Sequence, residues 1–133
     1  MDLIQANVVE LIANAVRTST LTPSNGVDIS AYDGPAHLIL QSSAATAGTS
    51  PTLNVKLQHS DSISSNFEDV TGVAFTQVTD AADLTQMLTV QIGQLKKYVR
   101  CVGTIGGTNT PTFGFGVSMV ACLHAGRNSS QAV

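Results

Sequence analysis

The feature that most constrains this chain is a run near its C-terminal end. Leu95-Lys96-Lys97-Tyr98-Val99-Arg100-Cys101-Val102-Gly103-Thr104-Ile105 leads into Gly106-Gly107-Thr108-Asn109-Thr110-Pro111, and Thr112-Phe113-Gly114-Phe115-Gly116-Val117-Ser118-Met119-Val120 follows. β-Branched and aromatic residues fill both flanks, with chain breakers between them. The pattern predicts two long strands joined by a glycine-rich turn, a β-hairpin, with Phe113, Phe115, Val117 and Met119 on its core side.

The rest of the chain reads in the same alphabet. Leu53-Asn54-Val55-Lys56-Leu57-Gln58-His59 alternates cleanly, which points Leu53, Val55 and Leu57 inward. Short strands are expected at 13–21, 27–30, 36–41, 67–71, 73–78 and 87–92, those at 67–71 and 73–78 as two strands around Gly72 or one strand with a glycine bulge. Pro23-Ser24-Asn25-Gly26 is a turn, and 42–52, 60–66 and 79–86 read as loops. Residues 1–12 fit either a short helix capped by Asp2 or an extended arm. The expected organisation is an N-terminal arm 1–12, a β-sandwich domain 13–124 and a flexible polar tail 125–133. About eight short strands with this turn spacing predict an all-β, antiparallel β-sandwich, jelly-roll-like or immunoglobulin-like. The strands at 87–92, 97–105 and 112–123 are expected to form one antiparallel meander.

Composition narrows the function. A chain of 133 residues is one domain with room for a core. Only 11% of its residues are charged while 43% are hydrophobic, and its mean hydropathy is +0.20. Soluble domains carry about 25% charge, so the deficit points to surface covered by other subunits or by a partner. A net charge of −3 and six basic residues, of which only Lys96, Lys97 and Arg100 cluster, speak against a nucleic-acid partner. No apolar stretch is long enough for a transmembrane helix, so no membrane partner is expected. Met1-Asp2-Leu3-Ile4 has no basic n-region, so no signal peptide is expected. Cys101 and Cys122 fall on opposite strand phases, which predicts two free thiols.

No constellation carries chemistry. His37, His59 and His124 lie in three separate segments without metal-ligand spacing, so no metal and no cofactor is expected. Serines are plentiful, but no Gly-x-Ser-x-Gly elbow supports a triad. Asp61, Glu68 and Asp69 are the best acidic cluster, and solvation of loops accounts for them. Gly106-Gly107 does not open a helix, which removes the phosphate-binding reading. A carbohydrate platform wants exposed aromatics, and the chain has no Trp and two Tyr. No catalytic residue is assigned and no enzyme activity is expected.

The order of Val27-Asp28-Ile29, Tyr32-Asp33-Gly34, Leu53 to Asp61, Phe67-Glu68-Asp69-Val70-Thr71-Gly72 with Phe75-Thr76, and Leu95 to Arg100 with the Gly-Gly segment and Phe113 resembles the head decoration, or cement, proteins of tailed bacteriophages. The resemblance covers about two thirds of the chain and lies in strands and turns, not in a diagnostic site. It implies a non-enzymatic viral structural protein, assembled in the host cytoplasm as a homo-oligomer, trimer or dimer. Such a protein sits on the outer surface of the virion capsid, where it binds the major capsid protein and bridges its subunits. The N-terminal region is where such proteins reach a neighbour, which makes Leu3, Ile4, Val8 and Val9 the candidate partner-binding residues. A tail or baseplate component, or a carbohydrate-binding β-sandwich module, is the alternative.

Overall fold

The computed structural model describes residues 6–123. Seven strands follow one another: β1 (Ala6–Arg17), β2 (Val27–Asp28), β3 (Tyr32–Ser42), β4 (Ala47–Ser60), β5 (Glu68–Ala74), β6 (Leu84–Gln91) and β7 (Tyr98–Leu123), with a single 3₁₀ turn at Ile92–Gln94 before β7. All pairing is antiparallel.

β7 organises the molecule. Its second half pairs with β1 on one side and β3 on the other, and β6 pairs with β3, giving sheet I in the order β1-β7-β3-β6. Its first half pairs with β2 and β4, and β5 pairs with β4, giving sheet II in the order β2-β7-β4-β5. The ladders are continuous in a telling way. Residues 6–28 follow one edge of β7, from Ala6 opposite Cys122, through the Leu21–Gly103 bridge, to Asp28 opposite Tyr98. Residues 32–60 follow its other edge, from Tyr32 opposite Leu123 to Ser60 opposite Tyr98. Residues 68–91 in turn follow 59–35, with the Leu53–Val78 bridge between β5 and β6. The molecule is therefore one antiparallel ribbon, four chains wide, folded across its middle into two layers. That is a jelly roll of eight strand segments, with β7 counted once in each sheet.

The core lies between the layers. Phe113, Phe115, Val117, Met119 and Ala121 of β7, Ala36, Leu38 and Leu40 of β3, and Leu11 and Ile12 of β1 meet Leu53, Val55 and Leu57 of β4 and Val99 and Cys101 of β7. The alternation expected for Leu53/Val55/Leu57 and Phe113/Phe115/Val117/Met119 is observed in full. Opposed phases also place Cys101 in the core and leave Cys122 half-buried on the outside, both as free thiols.

Several expectations change. The Gly-Gly segment is no hairpin turn. The two predicted strands are the halves of one 26-residue strand, bent from sheet II into sheet I. Positive φ at Gly107 (113°), Asn109 (59°) and Thr110 (56°) makes the bend. The expected meander is absent for the same reason: β6 lies beside β3, while β7 leaves sheet II at the bend. The expected loop 42–52 is largely strand, since β4 begins at Ala47 and buries Pro51. Here backbone pairing with the bend of β7 outweighs side-chain pattern, at the cost of two register shifts. Leu84 to Gln86, expected in a loop, start β6. Gly72 (φ 79°) sits in a bulge of β5, opposite the Lys56–Gln58 step, as one of the two readings expected.

β1 runs through the boundary set at residue 12, and its residues 6–12 are extended, not helical. Two bulges, between Glu10 and Ile12 and between Ile12 and Ala15, turn both Leu11 and Ile12 inward. The Arg17 guanidinium ties down the irregular end, donating to the carbonyls of Ala13 (2.6 Å), Ala15 (3.3 Å) and Phe115 (3.0 Å). The tail expected at 125–133, and residues 1–5 of the arm, lie outside the described residues.

Candidate interaction surface

A sandwich has two outer faces, and here they differ in kind. The outer face of sheet II is polar and internally paired. Lys56 Nζ lies 3.0 Å from Asp69, and the Gln58 amide donates to the same carboxylate at 2.8 Å. These hydrogen bonds, Gln58 first and Lys56 second, hold the Asp69 carboxyl below its usual range. Arg100 donates to Gln58 Oε1 (2.8 Å) and to the Pro23 carbonyl (2.7 Å), and its guanidinium stacks 4.0 Å from the centre of the Phe67 ring. Nearby, Lys96 Nζ reaches Glu68 at 2.6 Å, which lowers the glutamate and raises the lysine from their ordinary values. His59 completes the group: Nδ1 accepts the Lys96 backbone N–H at 3.2 Å, and Nε2 lies 3.6 Å from Glu68. The acidic cluster read from sequence is thus divided between partners on strands that the fold brings together.

The outer face of sheet I has the opposite character. In register across its four strands stand Val8, Val120, His37 and Thr89, then Glu10, Ser118, Ile39 and Met87. Four large hydrophobics are strongly exposed among the described residues: Val8 (71%), Val16 (73%), Met87 (62%) and Ile63 (48%). Three of them project from this face; the fourth lies in the loop after β4. Burying large apolar side chains of this kind is worth about 1.5–3 kcal/mol each. Down the middle, β7 presents Gly114, Gly116 and Ser118, so the floor is low and the walls are β1 and β3. A groove of about 260 Å³ runs over Gly116 and Ser118, and an open hollow of about 610 Å³ adjoins it over Gly114, with Asn14 and Gln41 shared by both. The carboxylates here are Glu10 and, at the edge, Asp83, which accepts the Ala44 N–H at 2.7 Å. No Lys or Arg side chain lines either hollow.

The residues nominated from sequence are divided by the fold. Val8 projects from this apolar face, while its neighbour Val9 points the other way and packs against the core. Leu3 and Ile4 lie outside the described residues. Met87, Val16, Ile39 and the glycine floor went unread, because nothing local joins four strands into one face. The even-numbered glycines of β7 were the one available signal.

No group of three or more potential metal-binding side chains converges among the described residues. His37 contacts Thr89 Oγ1 at 3.0 Å across the strand pair. The Cys101 thiol is pushed up to about 12 by burial, which suits a core residue and not a nucleophile. No described helix is long and apolar enough to cross a membrane.

No family model matches the sequence, and no curated protein matches it. Similarity appears in the fold. The chain superposes on a chain of the T13 viral particle of infectious bursal disease virus with a TM-score of 0.54 at 12% identity, covering 94% of this chain and 32% of that one. The VP2 subviral particle of the same virus gives 0.51 at 10% identity, covering 94% and 34%. A mutant VP2 in derived T=1 particles gives 0.53 at 10% identity, covering 94% and 33%. This chain thus spans about a third of the length of those proteins, and what it shares with them is the fold.

Proposed function

We propose that this chain is a non-enzymatic structural protein of a virion, one that binds the outer surface of a bacteriophage capsid and stabilises the shell by bridging major capsid protein subunits. The observation that carries the reading is the asymmetry of the sandwich. One face is a charge-paired, solvated surface; the other is apolar, grooved and short of charge. The fold adds support, since it is similar to that of proteins in infectious bursal disease virus particles. No cofactor is required.

The physical logic is linkage. A subunit that binds only the intact shell adds its binding free energy to shell stability. A homo-oligomer that spans neighbouring capsomers gains further, because its second contact is intramolecular and can raise avidity about 10²–10⁴-fold. Leu3, Ile4 and Val8 supply contacts to the neighbour, while Val9 packs against the core.

The test is to heat undecorated phage capsids with and without the protein. The expected result is co-sedimentation with the shells and a raised disruption temperature. Absence from the sedimented shells with an unchanged disruption temperature would move the assignment to a tail or baseplate part. Binding in a glycan array would move it to a carbohydrate module.

A further inference from the structure

We infer that Asn25 is a site of self-modification, converted to aspartate and isoaspartate by attack of the Gly26 backbone nitrogen. The fold sets the rate, because the Gly26 N–H is held by the Ile63 carbonyl. The site lies in the turn before β2 and is independent of the virion reading.

Asn25-Gly26 is the one Asn-Gly pair in the sequence. In such a pair the glycine nitrogen attacks the side-chain Cγ of the asparagine before it. A bond forms between that nitrogen and Cγ, and the bond from Cγ to Nδ2 breaks. The proton of the backbone nitrogen leaves with the amide group as ammonia, and a succinimide ring remains. Water then opens the ring at either carbonyl, giving aspartate or isoaspartate. Glycine favours the reaction because no Cβ shields its nitrogen.

The fold requires this pair and leaves its electrophile open. A Cβ at Gly26 would lie 2.8 Å from Tyr98 Cβ and 2.9 Å from Phe67 Cζ, so packing demands glycine there. Asn25 is exposed, and its side chain makes no hydrogen bond among the described residues.

The nucleophile, by contrast, is tied. The Gly26 N–H donates to the Ile63 carbonyl at 2.7 Å. To attack, the nitrogen must lose that proton and turn toward Cγ, and both steps require the bond to break. On the other side of Asn25, the Pro23 carbonyl accepts from Arg100 at 2.7 Å, and the guanidinium stacks on the Phe67 ring. Ile63 is held in turn by serines. The buried Ser60 hydroxyl donates to the Ser65 carbonyl and accepts the Ser62 N–H at 3.0 Å. Ser65 Oγ bonds Ser62 Oγ at 2.9 Å. Asn25 therefore reacts only from the fraction of molecules in which loop 60–66 has opened. The isoaspartate product lengthens the backbone between the two ties, so the loop closes less well over it.

The experiment incubates the full chain in mildly alkaline buffer, native and in guanidinium chloride, and follows position 25 by peptide mapping. Conversion should be at least about tenfold slower in the native protein, where the nitrogen is free only on local opening. Ser60→Ala should speed the native reaction about tenfold or more, because it removes both bonds that shape the loop. Gly116→Ala, which strains sheet I, should change it by less than about twofold. If Ser60→Ala fails to fold, hydrogen exchange at the wild-type Gly26 N–H reads the same opening, and protection is expected. Equal rates in the native and unfolded chain, or no conversion in either, would overturn the inference. So would an unprotected Gly26 N–H, a folded Ser60→Ala with the wild-type rate, or equal acceleration by Gly116→Ala, which would assign the reaction to global unfolding.

Discussion

The ring of Phe115 occupies the space that a side chain at Gly103 would need: a Cβ there would lie 2.8 Å from Phe115 Cζ. Both residues belong to β7, twelve positions apart, one in each sheet. The strand folds over and packs against itself across the core. Gly103→Ala should therefore destabilise the protein by about 1–3 kcal/mol through overpacking, and Gly103→Val by more. Urea unfolding measures this, and a midpoint shift with an unchanged slope is the expected outcome. An unchanged midpoint for both variants would refute the packing of the two halves.

Gly114 and Gly116 should respond oppositely to alanine. At Gly116 the new methyl meets Asn14 backbone and Cβ atoms at 2.9–3.0 Å, so β1 must shift, at a cost of about 1–3 kcal/mol. At Gly114 the methyl fits, and the gain in strand propensity makes the change neutral or stabilising by up to about 1 kcal/mol. Thermal melts of the two variants at a concentration where both are monomeric would show the difference. Equal melting temperatures would contradict it.

The two thiols should differ in reactivity. Cys101 is buried and its pKa is pushed up to about 12, so the reactive thiolate hardly forms in the folded protein. Cys122 is half-buried on the outer side of sheet I. Alkylation of native protein followed by mass spectrometry should label Cys122 first and Cys101 only on unfolding. Unfolded, unreduced protein should titrate two thiols.

Stability should fall at both ends of the pH scale, gently. Asp69 and Glu68 have folded-state values below their ordinary 3.8 and 4.5. A lowered acid contributes stability above its unfolded value and loses it as pH falls through the folded value. The acid limb therefore begins below about pH 4.5. Lys96 is raised above 10.5, so its contribution is complete below that value and is lost as pH rises through the folded one. These groups are exposed, so both limbs should be shallow and weaken further in high salt. Melting temperature against pH for wild type and Glu68→Gln checks this: the variant should lose part of both limbs. Identical profiles would show that the Lys96–Glu68 pair contributes nothing.

Much of this fold is legible locally. Leu53, Val55 and Leu57 declare one strand and Phe113 to Met119 another, because a strand half-buried on one face must alternate with period two. The opposed phases of Cys101 and Cys122 follow from the same rule. The low charge sets the expectation of a covered surface and names no strand for it.

What only the tertiary structure decided is connectivity. Gly107, Asn109 and Thr110 take positive φ, which a hairpin turn and a strand bend both require, so their composition does not separate the two. The partner strand does. β4 follows β7 through the bend from Tyr98 to Thr112, and that long-range pairing makes one strand of two and a jelly roll of an undecided sandwich. The apolar face has the same origin. Val8, Ile39, Met87 and Val120 come from four strands, and their meeting is a matter of register. Which distant strands pair, and how far each slides along its partner, is decided by burying their inward side chains together, and no local stretch of sequence records that choice.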